Sequence, residues 1–209
     1  MKRFFMICMA AGLAGVSLAV AEQTPGLAAQ QTGIQTDIIE KGQDELFLKQ
    51  SIVLDADVET VWQAFTTAEG VTGWMAPVAA VDFRIGGSLR THYGVDAQIG
   101  DPGTVLLHIA NYAPNRFITL QADADNAALP PIAKANAHRL FNIIEFNALP
   151  DERTEVVTWG IGYGAGEEWQ QMIGFFVQGN EWTLGKLAAF INGNRTDWEA
   201  IHVPGAEQE

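Results

Sequence analysis

From residue 46 the chain runs as one β-type strand, two short helical stretches and then a succession of short β-type runs separated by turn residues, before one long helical stretch, residues 169–191. That order constrains the fold more than any single motif. Consecutive strands joined by short turns pair as an antiparallel meander, and a lone amphipathic helix buries its apolar stripe only against such a sheet. The helical stripe runs through Trp169, Met172, Ile173, Phe176, Leu184, Leu187 and Ile191, mostly three or four apart. Glu167 and Glu168 fall in its first turn, where the helix dipole favours acids. Gly174 and Gly179 interrupt it. Each weakens a helix by about 1 kcal/mol, which implies close packing at both positions.

The runs before the helix can be placed one by one. Residues 46–54 (LFLKQSIVL) read as a strand. Asp57 is positioned to cap a helix in which Val58, Val61, Trp62 and Phe65 recur at helical spacing. A second short helix or turn, EGVTGWM, ends at Pro77. In VDFRIGGSLR, residues 81–90, Gly86 and Gly87 separate Phe83 and Ile85 from Leu89, Thr91 and Tyr93. The spacing predicts a two-residue type I′ hairpin with positive φ at both glycines. A phosphate loop would need a strand leading into a helix with G-x-x-x-x-G-K or G-x-G-x-x-G spacing, and neither is present. Residues 103–112 pair with 116–121, and 140–149 with 154–163, giving a meander of about six strands. The polar, Pro-containing residues 122–138 form a long loop of the kind that serves as a lid or binding element.

The N-terminus has the three parts of an export signal. Lys2 and Arg3 precede an uncharged apolar run, and Ala19-Val20-Ala21 fits the cleavage rule. The expectation is a signal peptide at 1–21, cleaved after Ala21, and a periplasmic or secreted protein. Cleavage removes two basic residues and no acid, so the formal charge of −13 falls by two to −15. It also removes Cys8, the single cysteine, so packing and not disulfides must hold the fold. The expected division continues with a flexible lead (22–45), one domain (46–192) and a loose tail (193–209). The acidic balance argues against nucleic acid and anionic headgroups as partners. No later segment is apolar enough for a stable membrane span, since Gln178, Asn180, Glu181 and Lys186 interrupt the best one.

SIVLDADVETVWQAFTTAEGVTGWMAP followed by VDFRIGGSLR resembles the START-like, or SRPBCC, superfamily. The similarity is to the branch of the C-terminal domain of the activator of heat-shock protein 90 ATPase. The carrying residues are Val61-Trp62, the Gly70-to-Trp74 element and Asp82, Arg84, Gly86 and Gly87. The resemblance implies an α+β helix-grip fold: a curved antiparallel sheet of about six or seven strands wrapped around the long C-terminal helix, with two short helices near the N-terminus. It also implies an apolar cavity between sheet and helix, and polyketide cyclase or dehydratase relatives. Two departures stand out: the export signal, and Gly179-Asn180-Glu181-Trp182 where the branch often has a Gly-Trp pair.

The function expected is binding of a small hydrophobic or amphipathic molecule, with no cofactor. The alternative is a cyclase- or dehydratase-type enzyme with a cavity His or Glu as general acid or base. A chaperone activator ranks third, because export separates it from the cytosol. Candidate ligand-binding residues are Trp74, Trp159, Tyr163, Trp169, Phe176 and Asn180. His92, His108 and Glu145 are the catalytic candidates, each with an outward-facing alternative. His138 and His202 fall in loop and tail, and no histidine pair has metal-ligand spacing. Ser51 and Ser88 have no adjacent base in sequence.

Overall fold

The computed structural model describes residues 33–42, 44–125 and 129–201. The expected signal, half of the lead segment (22–32 and 43) and His202 lie outside these residues. The strands are β1 Gln35–Lys41, β2 Glu45–Leu54, β3 Val78–Asp82, β4 Ser88–His92, β5 Val105–Ala113, β6 Phe117–Ala122, β7 Phe141–Leu149 and β8 Arg153–Tyr163. The helices are α1 Val58–Thr66, α2 Ala68–Thr72, α3 Pro131–Ala135 and α4 Glu167–Ile191. The fold is α+β. One antiparallel sheet runs in the order β1-β2-β8-β7-β6-β5-β4-β3, and the long helix closes the chain order.

The eight strands exceed the six or seven expected because β1 lies inside the segment expected to be a flexible lead. It pairs along β2 from Gln35 opposite Ser51 to Lys41 opposite Glu45. Its sequence, QTDIIEK, is mostly exposed and has no clean alternation, so periodicity does not mark it.

Local chemistry sets the helices. Asp57 Oδ1 accepts from the backbone N–H of Glu59 at 2.9 Å and of Thr60 at 3.0 Å, so α1 starts where the cap predicts. Its buried face is Val61, Trp62, Ala64 and Phe65. Gly70 lets α2 approach α1, since a Cβ there would lie 2.4 Å from the Gln63 carbonyl oxygen. The Trp74 indole then donates to the Ala64 carbonyl at 2.9 Å. These two contacts account for the Gly-x-x-x-Trp spacing.

The Gly-Gly hairpin differs from the expected two-residue turn. Asp82 pairs with Ser88, so residues 83–87 form the connection. Gly86 has φ +74° and Gly87 does not share the left-handed region. Gly87 is there for room: a Cβ would stand 2.0 Å from the Asp82 carbonyl oxygen. Phe83 and Ile85 therefore belong to the connection and not to a strand, and Ile85 is exposed.

Two apolar clusters form the core. The larger joins α1 and α2 to the sheet and to Leu184 and Leu187 of α4. The smaller joins Leu46, Leu48 and Tyr163 to Met172 and Ile173 of α4 and to Ala133 of α3. Residues 122–138, expected as a loop, thus contain α3 and enter a 3₁₀ turn at Ala137–Arg139. The tail is docked as far as it is described. Thr196 N–H donates to Gly73 O at 2.9 Å, and the Trp198 indole donates to Thr72 O at 2.7 Å. No helix among the described residues is long and apolar enough to cross a membrane.

Candidate functional site

Register decides which side chains meet the helix. Gln50 of β2 donates to the Val177 carbonyl of α4, so the face bearing Leu46, Leu48, Gln50, Ile52 and Leu54 is the inner one. Following the cross-strand pairs across the sheet to β3, every inner position on strands β2 to β8 holds an uncharged residue. The polar members are Gln50, Thr91, Tyr112, Asn142, Thr154, Thr158 and Tyr163. In a chain with 25 acidic residues this is a specific exclusion. It follows from the cost of removing a charge from water without a partner.

Between α1 and strands β3 to β7 of this face lies an apolar slot. Phe65 of α1, Phe83 of the hairpin connection, and Val81, Leu89, Ile109, Ile118, Leu120 and Ile144 of the strands line it. Its volume is about 10 Å³, the room of roughly one water. A second, polar cavity of about 100 Å³ lies between Glu40, Glu45 and the start of α4 near Gly166 and Gln170. Ligand pockets are commonly about 300–1,000 Å³, and neither space reaches that size. None of the six expected ligand-binding residues lines either space.

Those six fall into four environments. Trp74 is 2 % exposed, bonded to Ala64 O and packed edge-on against Phe65, so it is core. Trp159 pairs with Lys49 and Ile143 on the outer face, and the Lys49 ammonium sits 5.3 Å from its ring. Tyr163, Trp169 and Phe176 come together in the smaller cluster, with Phe176 stacked on Tyr163 at 6.2 Å. Asn180 Nδ2 donates to Gln50 Oε1 at 2.9 Å.

The catalytic candidates are all on the outer face. Glu145 pairs with Phe117 and Val157 there. His92 receives the Gly94 N–H on Nδ1 at 2.9 Å and lies 3.2 Å from Pro102 O through Nε2, holding the loop after β4. His108 Nε2 donates to Asp123 Oδ2 at 2.7 Å. That bond, then the N–H of Asp125, holds the Asp123 carboxyl below its usual pKa. His138 is exposed in the 3₁₀ turn. Among the described residues no group of three acidic, His or Cys side chains is arranged to hold a metal.

Two residues near the slot carry no mark in the sequence. Asn142 lies on the inner face of β7, one position along from Ile144, and is exposed. Gly160 of β8 is its cross-strand partner. A Cβ on Gly160 would stand 2.3 Å from the Tyr163 hydroxyl, so that oxygen occupies the space the glycine leaves. The nearest thing to a signal for Asn142 is a polar residue in register with Ile144 and Phe146. Only the sheet shows that this register faces inward.

A family model described as activator of Hsp90 ATPase homolog 1-like protein matches residues 55–192. The chain belongs to that family. It has the family's SRPBCC helix-grip architecture. Among solved structures, CalU16 from Micromonospora echinospora is 16 % identical, with a TM-score of 0.55 over 79 % of this chain and 88 % of that one. The Aha1 dimer from Colwellia psychrerythraea is 13 % identical, with a TM-score of 0.53 over 71 % of this chain and 96 % of that one. DynU16, from the dynemicin biosynthetic locus, is 17 % identical with a TM-score of 0.53, over 72 % of this chain and 50 % of that one. At such identities the similarity concerns the fold. No curated protein sequence matches the chain.

Proposed function

We propose that this activator-family protein binds a small hydrophobic or amphipathic molecule on the inner face of its sheet, beneath the helices. The observation that carries the reading is the uncharged inner face of strands β2 to β8, with an apolar slot between α1 and its strands β3 to β7. Burying apolar ligand surface there is favourable by about 25 cal/mol per Å². The slot holds about 10 Å³, so binding must displace side chains that fill it. Phe83 is one such side chain: it lines the slot from a half-buried position on the hairpin connection, packed against Trp62 and Tyr112.

The acid–base alternative has less support. Its named candidates, His92, His108 and Glu145, face away from the slot. A role in chaperone activation rests on the family description alone. Export is part of the proposal, on the strength of Lys2, Arg3 and the Ala19-Val20-Ala21 site. The test is native mass spectrometry of protein purified from its own cells. A retained neutral small molecule, on a chain beginning at Glu22, is the expected result. A chain that begins at Met1 in the cytosol removes the export half. A chain that neither retains a molecule nor takes up an apolar fluorescent probe removes the binding half.

A further inference from the structure

Near the slot stand two polar groups that make no hydrogen bond to any described residue. One is the Tyr163 hydroxyl, on a residue only 7 % exposed. The other is the Asn142 side-chain amide, which is exposed. They are neighbours. The hydroxyl lies over Gly160, and Gly160 pairs directly with Asn142. Cross-strand partners stand about 5 Å apart at Cβ. The other cross-strand partner of Asn142 is Leu120, and its neighbour along the strand on that face is Ile144. Both line the slot. The polar pair therefore sits beside two of the residues that line the slot.

We infer that the Tyr163 hydroxyl and the Asn142 amide hold the polar end of an uncharged amphiphile, a ketone, ester or alcohol whose apolar body occupies the slot. This rests on the proposal that the slot binds a ligand, and it adds the ligand's class. A hydroxyl and a carboxamide each donate and accept, so the pair suits a carbonyl or an alcohol equally. Burial pushes the Tyr163 phenol up, so it remains a neutral donor at any physiological pH. A carboxylate is disfavoured, because no inner position on strands β2 to β8 offers a cation to offset its desolvation.

The experiment uses the intact protein and N-phenyl-1-naphthylamine, a neutral fluorescent probe. The probe is displaced by 2-dodecanone or by dodecanoate at pH 7. 2-Dodecanone is expected to compete at least about tenfold better, the loss expected when a charge lacks its partner. Tyr163→Phe and Asn142→Leu should each weaken 2-dodecanone by about three- to tenfold while the probe itself still binds. Asn142→Lys supplies a cation and should raise dodecanoate affinity, a gain that misfolding cannot mimic. If the probe binds and the three variants leave both competitors unchanged, the polar pair is not the anchor, although the slot still binds. If dodecanoate competes better in the wild type, the ligand class is wrong. If the unaltered protein takes up no probe, the binding proposal falls and the polar anchor with it.

Discussion

Asn180 of α4 and Gln50 of β2 are joined by a 2.9 Å hydrogen bond at the boundary between the two apolar clusters. Gln50 is fully buried. Its amide nitrogen also donates to Thr36 Oγ1 at 3.1 Å and to Val177 O at 3.3 Å, and Thr36 donates onward to Glu181 at 3.2 Å. Gln50 thus tethers the edge strand, the sheet and the helix at one point.

Asn180→Leu should accordingly destabilise the protein. It leaves the buried Gln50 Oε1 without its donor, a loss of about 1–3 kcal/mol. Adding Gln50→Leu should recover part of that loss, because an apolar pair of similar shape needs no partner. Urea denaturation of the two single variants and the double variant measures the coupling. A single Asn180→Leu variant as stable as the wild type would mean that the amide is not paired in solution.

The helix glycines give the opposite sign. Their place in the apolar stripe implies close packing at Gly174 and Gly179, but a Cβ on either meets nothing within 4 Å. Both are exposed on α4. Alanine at each should stabilise the protein by about 0.5–1 kcal/mol through the unfolded chain's lost freedom. The midpoint of thermal unfolding should rise for each variant, and the two gains should roughly add in the double variant. A fall in either would show that something packs on that face of the helix in solution.

What is legible in the sequence is local. Asp57, the stripe of α1 and the apolar spacing of α4 set element type and order, because caps and periodicity act within a few residues. The faces are not legible. Whether Trp159, His92, His108 and Glu145 point toward α4 depends on which side of each strand the helix covers, and alternation alone is symmetric between the two. The strand LFLKQSIVL carries a partial clue, since Gln50 shares its register with Leu48 and Ile52. Long-range polar partners are equally hidden: His108 finds Asp123 through the β5–β6 hairpin, fifteen residues away. β1 and the docked tail lack an apolar pattern, so only their partners on β2 and α2 define them.

The His108–Asp123 pair makes a pH-dependent contribution. Asp123 has a depressed pKa in the folded protein, chiefly from the His108 hydrogen bond. Its stabilisation is present above the ordinary carboxyl value of 3.8 and is lost as pH falls through the lower folded value. The pair is partly exposed, at 46 % and 27 % for the two side chains, so its worth at neutral pH is about 1 kcal/mol or less. Asp123→Asn should remove that amount at pH 7, and progressively less as pH falls through the folded value. Carboxyl chemical shifts of Asp123 followed by NMR should give a titration below the usual range, and His108→Gln should move it back up. A titration at the ordinary value in the wild type would show that the bond does not persist.

The two hairpin glycines serve different ends, and substitution separates them. Gly86 needs its positive φ but has open space around it, since a Cβ there would meet nothing within 4 Å. Asparagine tolerates that backbone region, so Gly86→Asn should be nearly neutral, and Gly86→Val should cost about 1–2 kcal/mol in strain. Gly87 has an ordinary backbone and no room: its Cβ would stand 2.0 Å from the Asp82 carbonyl oxygen and 3.0 Å from the Arg84 side chain. Backbone must shift to accept any side chain there. That shift would strain the bonds from Gly86 N–H to Ile109 O at 2.9 Å and from Ile109 N–H to Gly87 O at 3.0 Å, which tie the connection to β5. Gly87→Ala should therefore destabilise more than Gly86→Ala, and Gly87→Asn should bring none of the relief that asparagine brings at Gly86. Hydrogen exchange at the Ile109 amide reports the difference directly, with faster exchange expected in the Gly87 variants alone. Equal exchange and equal stability for alanine at both positions would mean that the two glycines share one role after all.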